Sequence, residues 1–388
     1  LHSHGFQYLM AGRTGPSPGA EDHFWSWRKQ MYRLANRLDP RQYEDCLAWV
    51  YLQMLRAGYT ACAEFHYLHH QPDGRPYTDT AEMSRRVLAA AQRVGMPLTL
   101  LPVLYGRSGF SADGVEPAQR RFRFDTDGYS RLIEDCQAAV DGNLLQQVGL
   151  APHSLRAVAG EVLRELPQMK QKGQPVHIHV AEQSQEVADC LQQTGARPVQ
   201  WLLQNVHVDT DWCLVHATHM TADERAAAAA TGAVAGLCPT TEADLGDGVF
   251  ELDLWIGQAG AFGIGSDSNV RLSVGEELRL LEYEQRLQKQ RRNVLAKPPV
   301  STAENLYTAA SAAGAQALGQ AVGRLAPGAR ADLVELDGSH PLLGGLRSEE
   351  VMDAWIFAGG EDMIRSVWTG GRMIVQGGRH AQEESIER

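Results

Sequence analysis

At 388 residues, with a hydrophobic share of 44% and a charged share of 21%, the chain has the composition of a soluble globular enzyme. Its length suits one large domain with an appendage, or two domains. Asp and Glu number 47 against 36 Lys and Arg, and the net charge of −11 argues against nucleic acid or an anionic membrane as a partner.

No apolar run is long enough to span a bilayer. The six cysteines are scattered, with no Cys-x-x-Cys, and read as reduced core residues of a cytoplasmic protein. The chain opens on Leu1-His2-Ser3-His4-Gly5-Phe6-Gln7 with no initiator Met and no leader, so further residues are expected to precede Leu1. If this segment is a strand, His2 and His4 share one face at its end, where a single metal ion can reach both.

Asp22 to Leu38 then reads as a helix rich in Trp25, Trp27, Met31 and Tyr32 and stopped by Pro40. A second helix runs from about Gln42 to Ala57 and ends at Gly58. Thr60 to His66 is a short buried strand, and Asp79 with Glu82 suggests a capping box for a helix to Val94, closed by Gly95. Pro97 to Tyr105 is the next strand, Asp127 to Val140 a helix, and Leu145 to Pro152 a strand leading into His153. A helix from Ala157 to Lys172, disturbed at Pro167, precedes the strand Pro175 to Ala181 and helical segments over 185–205. Trp212 to His216 is a strand, Thr221 and Glu224 cap an Ala-rich helix ended by Gly232, and Ala233 to Leu237 and Phe262 to Gly265 complete the strands. Two helices follow, Val274 to Arg292 and Ser301 to Leu318, the second with a Ser301–Glu304 capping box.

Counted from Leu1 this gives eight apolar strands, most of them followed by a helix, which suggests an α/β fold closed as a (β/α)8 TIM-like barrel. The alternative is an open doubly wound sheet. The barrel is favoured because His4, His66, His153, Glu182, His216, Thr240 and Asp267 all fall at or just after C-terminal strand ends, where barrels carry their chemistry. From Gly323 the texture changes to short strands and glycine turns. The expected division is therefore a barrel over 1–320 and a small β-domain with a charged tail over 321–388.

His2-Ser3-His4, His179 with Glu182 three residues later, His216 and Asp267 together resemble the amidohydrolase superfamily. Within it, the stretches FWSWR (24–28), EFHYLHH (64–70), LLPVLY (100–105), APHSLRAV (151–158), HIHVAEQ (177–183), LVHATHM (214–220), GLCPTTEADLGDG (236–248) and GIGSDSNV (263–270) resemble the formimidoylglutamate deiminases of histidine degradation. The resemblance implies one divalent metal, usually zinc, held by His2, His4, His179 and Asp267. It implies a small β-sandwich domain built near the chain termini, with strands supplied by residues ahead of Leu1, and a homodimer. Three imidazoles and a carboxylate leave room for a water whose pKa the ion would bring to about 7. Glu182, His216 and Asp267 become the expected catalytic residues: His216 to orient the nucleophile or polarise the electrophile, Asp267 to take a proton, Glu182 to pass one to the leaving nitrogen. The implied reaction is attack of metal-bound hydroxide on the formimino carbon of N-formimino-L-glutamate, releasing ammonia and N-formyl-L-glutamate.

Such a substrate carries two carboxylates. Arg28 and Arg156 are the expected partners, with Gln7, Tyr67 and His153 as hydrogen-bonding neighbours matched by the resemblance. Taken without it, Arg28 would be a solvated helix arginine, Tyr67 a packed aromatic and Gln7 a loop amide. His177 is expected deeper in the barrel as a core histidine, while His66, His69, His70 and His219 are expected behind the site or on the surface. Asp244 and Asp247 would shape the rim, and the loop 106–121 is either a cover or an ordinary surface loop. The rival readings are a superfamily deaminase acting on a purine- or pyrimidine-like ring and, less favoured, a barrel kept as a non-catalytic scaffold.

Overall fold

The computed structural model describes residues 1–13 and 24–386, so the helix start expected at Asp22 lies outside the described residues, as does the side chain of Trp25. The apolar runs form parallel strands buried on both faces, as a sheet covered by helices requires. β1 (Cys62–His66) pairs in parallel with β2 (Leu98–Leu104), which pairs with both β3 (Gln146–Val148) and β4 (Ala151–Pro152). β5 (Val176–Val180), β6 (Trp212–His216), β7 (Val234–Leu237) and β8 (Ala261–Ile264) form a second parallel run in that order. Isolated bridges close the circle. Leu150 to Val176 and Ser154 to His179 join β4 to β5, while Ser3 bridges to Glu64 on one side and to Asp267 on the other.

The opening segment is therefore a barrel stave, but it pairs through Ser3 alone and turns at once into a 3-10 helix, Gly5–Met10. The strand expected over 145–152 is broken. The amide of Gly149 bonds Leu100 and that of Leu150 bonds Pro175, so the chain changes partners within one step. A Cβ on Gly149 would stand 2.7 Å from the Pro175 carbonyl oxygen, which is why a residue without one occupies the switch.

Helices α1 (Phe24–Ala35), α2 (Pro40–Arg56), α3 (Glu82–Val94), α4 (Thr126–Val140) and α5 (Gly160–Met169) accompany the first half of the barrel. α1 ends at Ala35, short of the expected Leu38, and Pro40 instead opens α2, behind a complete Asp39–Gln42 capping box. The capping box expected at Asp79 and Glu82 is absent, because Ala81 is the N-cap and the Asp79 carboxylate instead accepts from the Ala81 amide at 2.9 Å and from Arg85 at 2.7 Å. α5 starts three residues later than expected, since the Ala157 carbonyl is taken by the amides of Gly106 and Arg107. Pro167 stays inside it, and the helix stops two residues on.

The helical stretch 185–205 splits into α6 (Ser184–Thr194) and α7 (Pro198–Asn205) at left-handed Gly195, with Pro198 starting the second. α8 (Ala222–Ala230) carries the expected Thr221–Glu224 box in full. Two short helices, α9 (Pro239–Leu245) and α10 (Leu252–Gly257), fill the β7–β8 connection, and α11 (Val274–Lys289) and α12 (Thr302–Leu318) follow β8. Ser301 caps α12 by accepting from the Glu304 amide at 3.2 Å; only this half of its expected box is formed.

Beyond α12, β9 (Leu333–Leu336), β10 (Ile364–Thr369), β11 (Arg372–Gln376) and β12 (Arg379–His380) make one antiparallel sheet in the order β12-β11-β10-β9. It buries Ile364, Val367 and Val375 and is tied to the barrel layer by Thr369 Oγ1 to the Gly95 carbonyl and His380 Nε2 to the Val94 carbonyl. Among the described residues no helix is long and apolar enough to cross a membrane, and all six cysteines are buried and free.

Candidate metal centre and active site

The C-terminal mouth of the barrel is held in an uncommon backbone geometry. Ala181 after β5, His216 and Ala217 at the end of β6, and Asp267 and Asn269 after β8 all have φ between 46° and 65°. Residues with a Cβ resist that region at a cost of about 1–3 kcal/mol each, and such strain concentrates where side chains must be aimed. Here the aim is inward.

Asp267 sits where β8 clasps the opening stave: its amide donates to the His2 carbonyl at 3.1 Å, and its carbonyl accepts from the His4 amide at 2.8 Å. Gly265 keeps the two segments close, because an added Cβ would lie 2.7 Å from the His2 carbonyl oxygen and 2.9 Å from its Cβ. Gly265→Ala is therefore expected to cost about 1–3 kcal/mol of stability and to lower metal content, read by a melting curve and elemental analysis; an unchanged value of both would contradict this packing.

His2, His4 and His179 converge so that their Nε2 atoms stand 3.3 Å (His2–His4), 3.1 Å (His2–His179) and 3.3 Å (His4–His179) apart. Asp267 Oδ1 is 3.2 Å from His4 Nε2 and 3.7 Å from His2 Nε2. His4 Nδ1 donates to the Phe65 carbonyl at 2.9 Å and His179 Nδ1 to the His153 carbonyl at 3.2 Å, which leaves their Nε2 lone pairs facing one another. Burial, then the neighbouring imidazoles, hold His2 and His179 well below the usual histidine range, so both are neutral.

Converging lone pairs in a dry site repel each other unless a cation lies between them. Ligands about 2.0–2.1 Å from a tetrahedral ion stand about 3.3 Å apart, the spacing seen here. The four side chains fit a divalent ion of the zinc type, and among the described residues they form one of two such groups, the other being His216, Cys238 and Glu242.

His216 lies beside this cluster. Its Nε2 is 3.7 Å from Asp267 Oδ2 and 3.7 Å from Glu182 Oε1, and its Nδ1 donates to Glu242 Oε1 at 2.9 Å. Burial alone would lower its pKa, but the carboxylates of Glu182, Glu242 and Asp267 outweigh burial and push it well up. A cleft of about 530 Å³, including its part open to solvent, rises from the cluster. It is lined by His4, His179, Glu182, His216 and Asp267 at the floor and by Gln7, Arg28, Tyr67, His153 and Arg156 above. The residues expected as ligands, catalytic groups and substrate contacts thus all line one cleft, except His2, which belongs to the cluster without lining it.

Gln7 Nε2 donates to Tyr67 at 2.6 Å, Arg28 bonds the Tyr32 hydroxyl, and Arg156 is buried one turn beyond His153. Thr240 is not among the lining residues. Its hydroxyl donates to Glu277 at 2.6 Å, and Thr241 takes the place in the cleft. His177 is a core histidine, bonded to the Ala317 carbonyl at 2.8 Å. His66 and His69 are buried behind the mouth, on the Tyr43 hydroxyl and the Val103 carbonyl, and His219 is bonded to the Asp247 carbonyl. Asp247 is itself buried, bonded to Gln183 and pushed up to about 9 by burial and by Glu182, so it is more than rim.

Sequence reasoning missed Glu242, Glu64 and the aromatic wall of Tyr32, Tyr105 and Phe122. Glu64 could have been found: a lone carboxylate in a buried strand needs a partner, and it accepts from the Gly5 amide at 2.7 Å.

The sequence model of the amidohydrolase family matches residues 1–374. The chain belongs to the amidohydrolase family. Among its relatives, this amidohydrolase is 49% identical over 391 aligned residues to formimidoylglutamate deiminase of Pseudomonas aeruginosa, with 100% of the present chain and 86% of that protein covered. It is 27% identical over 272 residues to 5-methylthioadenosine/S-adenosylhomocysteine deaminase of Natronomonas pharaonis, covering 69% of this chain and 60% of that one. A crystal structure of an amidohydrolase from Brucella melitensis superposes with a TM-score of 0.95 at 47% identity, over 100% of this chain and 86% of that one. An adenosine deaminase from Xanthomonas campestris with bound zinc shares the fold, with a TM-score of 0.82 at 22% identity over 100% of this chain and 81% of that one.

Proposed function

We propose that this amidohydrolase is a metal-dependent deiminase that converts N-formimino-L-glutamate to N-formyl-L-glutamate and ammonia in histidine degradation. The proposal includes zinc as the ion held by His2, His4, His179 and Asp267, and a cytoplasmic homodimer as the working form. One observation carries it: two arginines, Arg28 and Arg156, share a cleft with the His-Asp cluster, as a small substrate with two carboxylates demands. The 49% identity to a formimidoylglutamate deiminase supports the same substrate.

When bound, the ion lowers the pKa of a water and so supplies a nucleophile near neutral pH. The residues do the rest. Arg28 and Arg156 bind the carboxylates, with Gln7, Tyr67 and His153 as hydrogen-bonding neighbours, and fix the formimino carbon over the floor of the cleft. Asp267 accepts the water's proton as the oxygen bonds to that carbon, and His216 Nε2 holds the developing charge. Glu182 passes that proton to the imino nitrogen, giving the aminol, then takes the aminol hydroxyl proton and delivers it to the same nitrogen, so that the carbon–nitrogen bond breaks and ammonia leaves as the carbonyl forms.

The aromatic wall of Tyr32, Tyr105 and Phe122 gives the rival ring-deaminase reading its support, since rings stack on such surfaces. A steady-state assay on N-formimino-L-glutamate, with ammonia followed and the carbon product identified by NMR, separates the two. Ammonia with N-formylglutamate is expected. Formamide with glutamate would overturn the bond assignment, and no turnover by metal-replete protein that deaminates purines would overturn the substrate. Exhaustive chelation is expected to abolish turnover, with recovery on adding about one equivalent of zinc per chain, and to lower the melting temperature. Full activity after the metal is gone would refute the metal role.

A further inference from the structure

The cluster, the cleft and their proposed chemistry leave the buried contact between Glu242 and His216 without a role. Glu242 lies in α9, directly after β7, and is 3% exposed. Its Oε1 accepts from two donors, the His216 ring at 2.9 Å and the Cys238 amide at 3.0 Å, and its own amide donates to the Cys238 carbonyl at 2.9 Å. The carboxylate is thus pinned to the backbone of its own helix entrance and reaches across to a different strand for one purpose. His216 Nε2, the other ring nitrogen, is buried without a hydrogen-bond partner and faces Glu182 and Asp267 at 3.7 Å each.

A ring with a free nitrogen can flip or change tautomer, and a catalytic imidazole that does either loses its aim. We propose that Glu242 is the positioning residue for His216. By accepting from Nδ1 it stops the ring from flipping and keeps Nε2 turned to the reacting centre. A merely structural carboxylate would be satisfied by the Cys238 amide and its neighbours, whereas here the same oxygen that bonds the amide also bonds the ring. The contact also explains the backbone: His216, at φ +65°, is held in the left-handed region in a position from which the ring meets Glu242 on one side and the cluster on the other.

This assignment rests on the deiminase reading for its kinetic effect, but not for its structural one, so two measurements are paired. In metal-replete full-length protein, Glu242→Gln is expected to lower kcat roughly 10- to 100-fold with KM and metal content close to the parent's. In the His216→Asn background the same substitution is expected to cost nothing further, because its effect passes through the ring. Independently of any substrate, NMR of protein labelled at histidine nitrogens should show the His216 Nδ1 proton strongly deshielded by the carboxylate. That signal should be absent in His216→Asn and shifted upfield in Glu242→Gln. An unshifted signal in Glu242→Gln, or a kinetic loss of equal size with and without His216, would overturn the proposal. If the deshielded proton behaves as expected while N-formimino-L-glutamate is not turned over, the substrate reading fails and the positioning role stands.

Discussion

Asp267→Asn is expected to lower kcat/KM by about 1,000-fold or more and to leave the metal site largely empty. The proposed mechanism gives the side chain two jobs from one position. Oδ1 lies 3.2 Å from His4 Nε2 and 3.7 Å from His2 Nε2, within the converging set, while Oδ2 faces His216 at 3.7 Å. Asparagine keeps the shape and the backbone ties to His2 and His4. It removes the one carboxylate from a set whose other members are imidazoles, and it cannot accept a proton at neutral pH. The loss should therefore appear in kcat and in metal content together, with far-UV circular dichroism unchanged. A variant with full metal and kcat/KM within about tenfold of the parent would show that Asp267 neither holds the ion nor moves the proton.

Arg156→Ala is expected to cost about 2–5 kcal/mol of transition-state binding, roughly 30- to 4,000-fold in kcat/KM, and mostly through KM. Arg156 is buried on the cleft wall, where removing the guanidinium leaves a substrate carboxylate desolvated and unpaired. Arg28, half-buried on α1 and bonded to Tyr32, should cost less when replaced. Arg156→Lys keeps the charge but not the planar fork, so it should recover only part of the loss. The control is formamidine, a linear amidine with no carboxylate. On it the Arg156→Ala variant and the parent should be equally slow, and an equal deficit on both substrates would point to a damaged cleft instead.

Much of this arrangement was legible along the chain because its signals are local. Strands such as Trp212–His216 and the box at Thr221 and Glu224 depend on hydropathy and capping chemistry within a few residues. Where three-dimensional partners intervene, the local reading slips. Gly149 and Leu150 break a continuous apolar run because they must bond strands on opposite sides. Residues 157–159 are kept out of α5 because the Ala157 carbonyl is taken by Gly106 and Arg107. The Asp79 box fails because Arg85 and the Ala81 amide compete for the carboxylate.

Which residue types the chain can bring to chemistry was readable along the chain: paired histidines on alternating positions, an acid three residues beyond one of them, an aspartate at a strand end, and two arginines. The periodicity of strands fixes those faces before any contact forms. Tertiary structure alone decided which of them meet. Ser3 bridging to Glu64 and to Asp267 joins the first stave to the second and the last, and that closure turns separate motifs into a set of Nε2 atoms 3.1–3.3 Å apart. It also chose Thr241 over Thr240 for the cleft and set Glu242 against His216, because a side chain's partner across a barrel depends on where two strand ends arrive in space, and no spacing along the chain encodes that.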